Sequence, residues 1–150
     1  VRNAFGNVWE LPGDLVCILT NGQIRFDGDA VMGRGQAKEA ATLFPELPSL
    51  VADALLRHGN LPAYLGGFSA NGRRYQLATF PTKHKWRDRA SLELIEQSAF
   101  HLMRLVDANG FENVLLPHPG CGFGGLNWDV VRERLEPVFD DRIIAVDFTR

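Results

Sequence analysis

The sequence is poor in sulfur, in long apolar stretches and in excess charge of either sign. Its two cysteines, Cys17 and Cys121, lie in different kinds of segment. Two are too few for a disulfide framework, and no CxxC or His/Cys spacing suggests zinc. No apolar run approaches membrane-spanning length and nothing resembles a secretory leader, so a membrane partner is excluded and a cytoplasmic location is expected. Lys and Arg number 16 against 18 Asp and Glu, a net charge of −2. The whole surface is therefore no polyelectrolyte binder, and any affinity for phosphate must be local. Repeats, linkers and low-complexity tracts are also missing. The 150 residues read as one domain, 1–150, long enough to bury a core, and a monomer is expected.

What is present is an alternation of short apolar runs and amphipathic stretches. Leu15 to Leu19 is continuously apolar between Gly13-Asp14 and Thr20-Asn21-Gly22, the pattern of a strand buried on both faces. A turn-rich stretch leads to Val31-Met32-Gly33-Arg34-Gly35 and a helix carrying Ala37, Ala40, Ala41 and Phe44 on one face, stopped by Pro45. A second helix is predicted from a Ser49 N-cap through Val51 and Leu55 to Gly59. Residues 63–80 read as a β-hairpin turning at Asn71-Gly72, and Ser91 to Asn109 as a long amphipathic helix capped by Gly110. Val114 to Leu116 and Ile143 to Val146 are predicted buried strands, with a helix over Asn127 to Glu136 between them. Helices alternating with apolar strands indicate an α/β fold whose largely parallel sheet the hairpin makes mixed.

Two glycine-rich loops carry the chemistry. The stronger is Pro119-Gly120-Cys121-Gly122-Phe123-Gly124-Gly125, between a strand and a helix. Its glycines let the backbone turn sharply and approach a ligand without Cβ obstruction. The free N–H groups, with the next helix N-terminus, would form an anion site. Gly33-Arg34-Gly35 repeats this layout before the first helix. Ligands of open α/β sheets sit beyond the carboxyl ends of the strands, so two such loops facing one crevice suit a diphosphate. Gly120 to Gly125 also satisfies G-x-G-x-x-G, with Asp147 further on at a strand end. A dinucleotide-cofactor domain is the lesser expectation, because the sequence stops at Arg150 without a second mononucleotide half.

Three motifs in order, Val31-Met32-Gly33-Arg34-Gly35-Gln36-Ala37, Phe80-Pro81-Thr82-Lys83 and Pro119 to Trp128, resemble the macrodomain family. Within it the chain is most similar to the branch of terminal ADP-ribose protein glycohydrolases and DNA ADP-ribosyl glycohydrolase antitoxins. The resemblance implies a three-layer α/β/α fold with a mixed central sheet and ADP-ribose across its top. It implies adenine contacts from Asn7 and Val8, where many members have Asp for Asn7, and an adenine flank from Phe148. It places Asn21 near the distal ribose, while Ile18 stands where many members have another Asn. Gly33, Gly35, Gln36 and Ala37 would form the first ribose and phosphate loop. Gly120, Cys121, Gly122, Phe123 and Gly124 would wrap the diphosphate, with Thr82 beside them.

The same resemblance makes Lys83 the catalytic residue, acting at the anomeric carbon of the distal ribose. A lysine serves there as a neutral nucleophilic amine, favoured by burial near a second cation, or as a charge stabiliser. Lys85, Arg87 and the helix dipoles are the expected sources of that field. The protein-directed glycohydrolases carry an acid in the second loop where this chain has Gly124, a glycine shared with the DNA-directed members. The expected activity is hydrolytic release of mono-ADP-ribose from a modified protein. The alternatives are a DNA ADP-ribosyl glycohydrolase, an ADP-ribose-1″-phosphate phosphatase and a non-catalytic reader. No metal or redox cofactor is implied. The basic, aromatic segment Lys83 to Arg89 reads as an exposed lip of the pocket or, alternatively, as a second partner surface for single-stranded DNA. Cys17 reads as core, Cys121 as a small residue among glycines and Trp128 as a packing residue; His118 reads as lining the pocket or as structural, and Asp147 as contacting ribose or as ending a strand.

Overall fold

The computed structural model describes residues 1–148 of the chain. In order come β1 (Arg2–Phe5), β2 (Leu15–Asn21), α1 (Gly35–Leu43), α2 (Leu47–His58), β3 (Tyr64–Ala70) and β4 (Arg73–Lys83). They are followed by α3 (Leu92–Asn109), β5 (Val114–Pro117), α4 (Trp128–Leu135) and β6 (Ile143–Asp147). The strands make one six-stranded sheet in the order β1-β6-β5-β2-β4-β3. Each neighbouring pair is parallel except the β3–β4 hairpin. That hairpin closes because Asn71 and Gly72 both take left-handed φ, 52° and 76°.

Period-two alternation sorts the apolar residues of each strand onto two faces. Val16 and Ile18 of β2, Leu77 of β4 and Leu115 of β5 meet Ala40 of α1, Phe44 just past its end and Leu47, Val51 and Ala52 of α2. Leu15 and Cys17, Phe80 and Leu116 meet Ile95, Ala99, Leu102 and Val106 of α3 and Val131 and Leu135 of α4. The two cores on opposite faces of one sheet give the expected three-layer α/β/α architecture.

Three elements differ from expectation. β1 has no apolar run to betray it: it is an edge strand, mostly exposed, held by its parallel pairing with β6. The second helix starts at Leu47, ahead of Ser49, because Pro48 sits in the first turn, where a missing N–H costs nothing. β4 continues past Phe80 to Lys83. Pro81 pairs with Thr20, the register then slips, and Asn21 faces Lys83. The slip is a bulge of the kind that re-aims a side chain beside a site.

Candidate functional site

A cavity of about 520 Å³ opens over the carboxyl ends of the parallel strands. Phe5 of β1, Thr20 and Asn21 of β2, Lys83 of β4, Pro117 of β5 and Val146 of β6 all reach it. The chain leaves β2 toward β4 and leaves β5 toward β6, in opposite directions across the sheet. The cavity therefore sits at the topological switch point, where outgoing loops diverge and leave a crevice.

The opening is built into the sheet. β2 and β5 pair only at Leu15–Val114 and Val16–Leu115. Above that the Gln36 side chain takes the place of a neighbouring strand. Its Oε1 accepts from the Leu19 N–H at 2.8 Å, and its Nε2 donates to the Cys17 carbonyl at 2.8 Å. Gln36 thus lines the crevice with its amide committed to the fold, which ties the start of α1 to the lip of β2. Asn21 is similarly engaged, donating to the Val31 carbonyl at 3.1 Å and accepting from the Gln23 N–H at 2.9 Å. The Thr82 hydroxyl, buried at the cavity floor, donates to the Thr20 carbonyl.

Two sets of N–H groups face the opening. α1 begins at Gly35 with no side-chain cap, so the N–H groups of its first turn have no helical acceptor. Across the crevice, the N–H groups of Gly122, Phe123 and Gly124 have no acceptor among the described residues, whereas Cys121, Gly125 and Leu126 donate within the loop. This arrangement can hold two anionic groups by backbone donors alone. No residue of the α4 N-terminus lines the cavity. Asn127 caps α4 by accepting from the Asp129 N–H at 2.8 Å, and Asp129 brings negative charge. Gly124 admits no side chain: a Cβ there would lie 2.6 Å from the Gly120 carbonyl oxygen and 2.8 Å from the Ala90 Cβ.

Lys83 stands at one end of this floor, its Nζ donating to the Trp86 carbonyl at 3.3 Å. Burial pushes its pKa down, Arg34 pushes the same way, and Asp88 opposes. The cation beside Lys83 is thus Arg34, from the first glycine loop. Lys85 and Arg87 do not line the cavity. Arg34 bridges the mouth, its guanidinium carbon 5.0 Å from the Trp86 ring centroid and 5.3 Å from that of Phe123. At the opposite end stand Phe5, Asn7, Val8 and Phe148. The Asn7 Oδ1 accepts from the Trp9 N–H at 3.0 Å, which ties down the turn after β1.

Of the expected site residues, Asn7, Val8, Asn21, Gly35, Gln36, Ala37, Thr82, Lys83, Gly120, Gly122, Phe123, Gly124 and Phe148 line the one cavity. Gly33 and Cys121 do not. Gly33 passes outside, and Arg34 turns inward in its place. Cys121 packs toward the α3/α4 core, its thiol donating to the Pro119 carbonyl, and burial pushes its pKa up to about 11. Ile18 is fully buried under α1 and α2, facing away from the crevice. His118 lines the cavity while its ring stacks on Trp128, centroids 3.7 Å apart. Arg34, Phe5 and Glu39 are lining residues that the sequence did not single out for this cavity, whereas Trp86 lines it as part of the basic segment expected at its lip. An arginine between two glycines was a signal for Arg34; Glu39 gave none.

Fold and site together define a class: an α/β/α sandwich with an anion-binding crevice at its switch point and one lysine at the end of that crevice. No protein-family model matches the chain. It is 27% identical over 144 residues to a DNA ADP-ribosyl glycohydrolase of Thermus aquaticus, covering 93% of this chain and 38% of that protein. The macrodomain of Thermus aquaticus DarG superposes with a TM-score of 0.74 at 26% identity, over 99% of this chain and 97% of that one. Thermosipho africanus DarTG in complex with ADP-ribose gives a TM-score of 0.80 at 20% identity, over 99% of this chain and 43% of that one. The chain has the macrodomain fold. It spans between 30% and 38% of the length of the curated relatives it matches.

Proposed function

We propose that residues 1–150 form a single macrodomain that binds ADP-ribose in the crevice and releases it by hydrolysis from a modified macromolecule. The observation that carries this reading is a pKa-lowered lysine at one end of a floor of unpartnered N–H groups. The diphosphate lies between the α1 first turn and Gly122 to Gly124. Adenine lies toward Asn7, Val8 and Phe148, and the distal ribose toward Asn21 and Lys83. A neighbour with the same fold is known in complex with ADP-ribose, which supports ADP-ribose as the ligand. At the distal ribose the Lys83 amine attacks the anomeric carbon, or holds charge while water attacks. Either way the glycosidic bond breaks, the acceptor leaves with the bonding electrons and takes a proton, and water ends on ADP-ribose.

DNA is the proposed bearer of the modification. The names of the relatives support it, and the space at Gly124 excludes the acidic partner that the protein-directed branch uses. The protein acts as a cytoplasmic monomer on this reading; among the described residues no helix is long and apolar enough to cross a membrane. The test is release of ADP-ribose from ADP-ribosylated single-stranded DNA and from a mono-ADP-ribosylated protein, by the native chain and by Lys83→Ala. Release from DNA should fall about a hundredfold or more in the variant, with affinity for free ADP-ribose retained. Preferential release from the protein substrate would move the target to protein. Tight ADP-ribose binding with no release from either would leave a reader or a phosphatase acting on ADP-ribose-1″-phosphate.

A further inference from the structure

Lys83 is the last residue of β4, and residues 84–89 after it are exposed. A strand end beside such a loop frays unless its backbone is held. The register slip between Thr20 and Asn21 skips Thr82, so that Asn21 faces Lys83. There the Gly22 N–H is divided between the Lys83 and His84 carbonyls, 3.1 Å from each, so it holds neither fully. The undivided donor is Asn60, whose Nδ2 reaches the Lys83 carbonyl at 3.0 Å. Asn60 comes from the link between α2 and β3 and does not line the cavity. That link is pinned on both sides: the Gly59 N–H donates to the Leu55 carbonyl, and Ala63 exchanges two hydrogen bonds with Thr79. The amide therefore meets β4 at a fixed place. Its orientation is costly. The Asn60 Oδ1 is buried with no hydrogen-bond partner among the described residues, and turning the amide over would set that oxygen against the Lys83 carbonyl oxygen. A buried acceptor without a donor destabilises a fold. An apolar side chain of the same size would avoid that loss, so stability does not explain the asparagine; the Lys83 carbonyl does.

We infer that Asn60 is a positioning residue for Lys83: by gripping its carbonyl at the slipped end of β4, it fixes the direction in which the amine leaves the strand. The inference rests on the ADP-ribose reading of the crevice, which places the anomeric carbon before that amine. The amine itself has one weaker tether, the Trp86 carbonyl at 3.3 Å, so its aim depends on the strand end. Gly22 guards the same contact. A Cβ there would lie 2.8 Å from the Asn60 Nδ2 and 3.1 Å from the His84 carbonyl oxygen. Of these two neighbours the side-chain amide is the one free to swing, so an alanine at this position would displace it from the Lys83 carbonyl.

Asn60→Leu, Gly22→Ala and the double variant test this against the native chain. Four quantities are measured: single-turnover release of ADP-ribose from a modified DNA strand, affinity for free ADP-ribose, the unfolding midpoint, and the pKa of Lys83. The last comes from the pH dependence of its acylation by a small anhydride. Asn60→Leu should leave the midpoint nearly unchanged, because one lost hydrogen bond is offset by one removed orphan. Release should slow about tenfold or more. Affinity for ADP-ribose should stay within about twofold, because the N–H groups that hold the diphosphate lie on other loops. The Lys83 pKa should rise toward 10.5 as the amine drifts from its place beside Arg34. Gly22→Ala should slow release and raise the pKa in the same way, and the double variant should lose no more than either alone, since both act on one contact. Unchanged release and pKa in Asn60→Leu would overturn the inference, as would losses that add in the double variant or that follow the midpoint. A native chain that releases no ADP-ribose would instead overturn the hydrolase reading. Acylation then decides the positioning, and a Lys83 pKa still as low in Asn60→Leu would overturn it.

Discussion

At the scale of single residues, the chemistry depends on the company Lys83 keeps. An amine can attack only when unprotonated, and both burial and Arg34 disfavour the ammonium form. The release rate should therefore rise with pH along a limb whose apparent pKa lies below the ordinary 10.5 of lysine. Arg34→Gln removes one of the two depressing influences and leaves burial in place. The limb should move upward and the rate at neutral pH should fall, which a pH–rate profile of both proteins would show. A limb that stays put would mean that Arg34 serves the mouth of the crevice without tuning the amine. Cys121 contrasts with Lys83: it sits in the ligand loop, but its pKa of about 11 leaves it a thiol at neutral pH and its side chain points to the core.

At the scale of elements, the site exists because β2 and β5 stop pairing after Val16 and Leu115. Two backbone groups of β2 are thereby orphaned, and the Gln36 amide satisfies one donor and one acceptor. Gln36→Ala should cost about 1–3 kcal/mol of stability. Gln36→Glu should cost at least as much, since a carboxylate oxygen would then face the Cys17 carbonyl. Chemical denaturation of the three proteins measures both losses; two unchanged midpoints would show that water replaces the amide. The glycine loops and the α1 helix were legible in the sequence, as was Lys83 by resemblance. The role of Gln36 was not, because a glutamine after a glycine looks the same whether it meets a phosphate or plugs a gap in a sheet. The bulge that carries β4 on to Lys83 was equally hidden. Pro81 reads as a strand breaker, and only pairing with Thr20 shows that the strand tolerates it.

At the scale of the whole molecule, acid should loosen the fold through His118. Burial holds its pKa below the ordinary 6.5 even though Asp147 pulls it up. The unfolded chain therefore takes up this proton first as pH falls, so stability is fully present above 6.5 and declines as pH drops through the lowered value. Thermal unfolding followed across that interval should show the decline, and His118→Phe, which keeps a ring to stack on Trp128, should reduce it. An identical pH dependence in the variant would assign the acid sensitivity to the carboxylates. The ring lies between the crevice and Trp128 at the start of α4, so this one titration also touches the wall of the ligand site.

The sequence by itself determined the α/β alternation, the hairpin at Asn71-Gly72 and the two glycine loops, because each is written in local periodicity or in the φ that a residue tolerates. It also marked Lys83 and the segment that carries Trp86. Only the tertiary structure decided that β1 pairs with β6 and that Arg34 lies between Trp86 and Phe123. The same holds for Gln36 filling the gap beside β2 and for Asn127, which caps α4. These contacts mostly join residues from loops and strands far apart along the chain. Their meeting depends on how the sheet is ordered and where two of its strands part, and no local pattern of side chains encodes that.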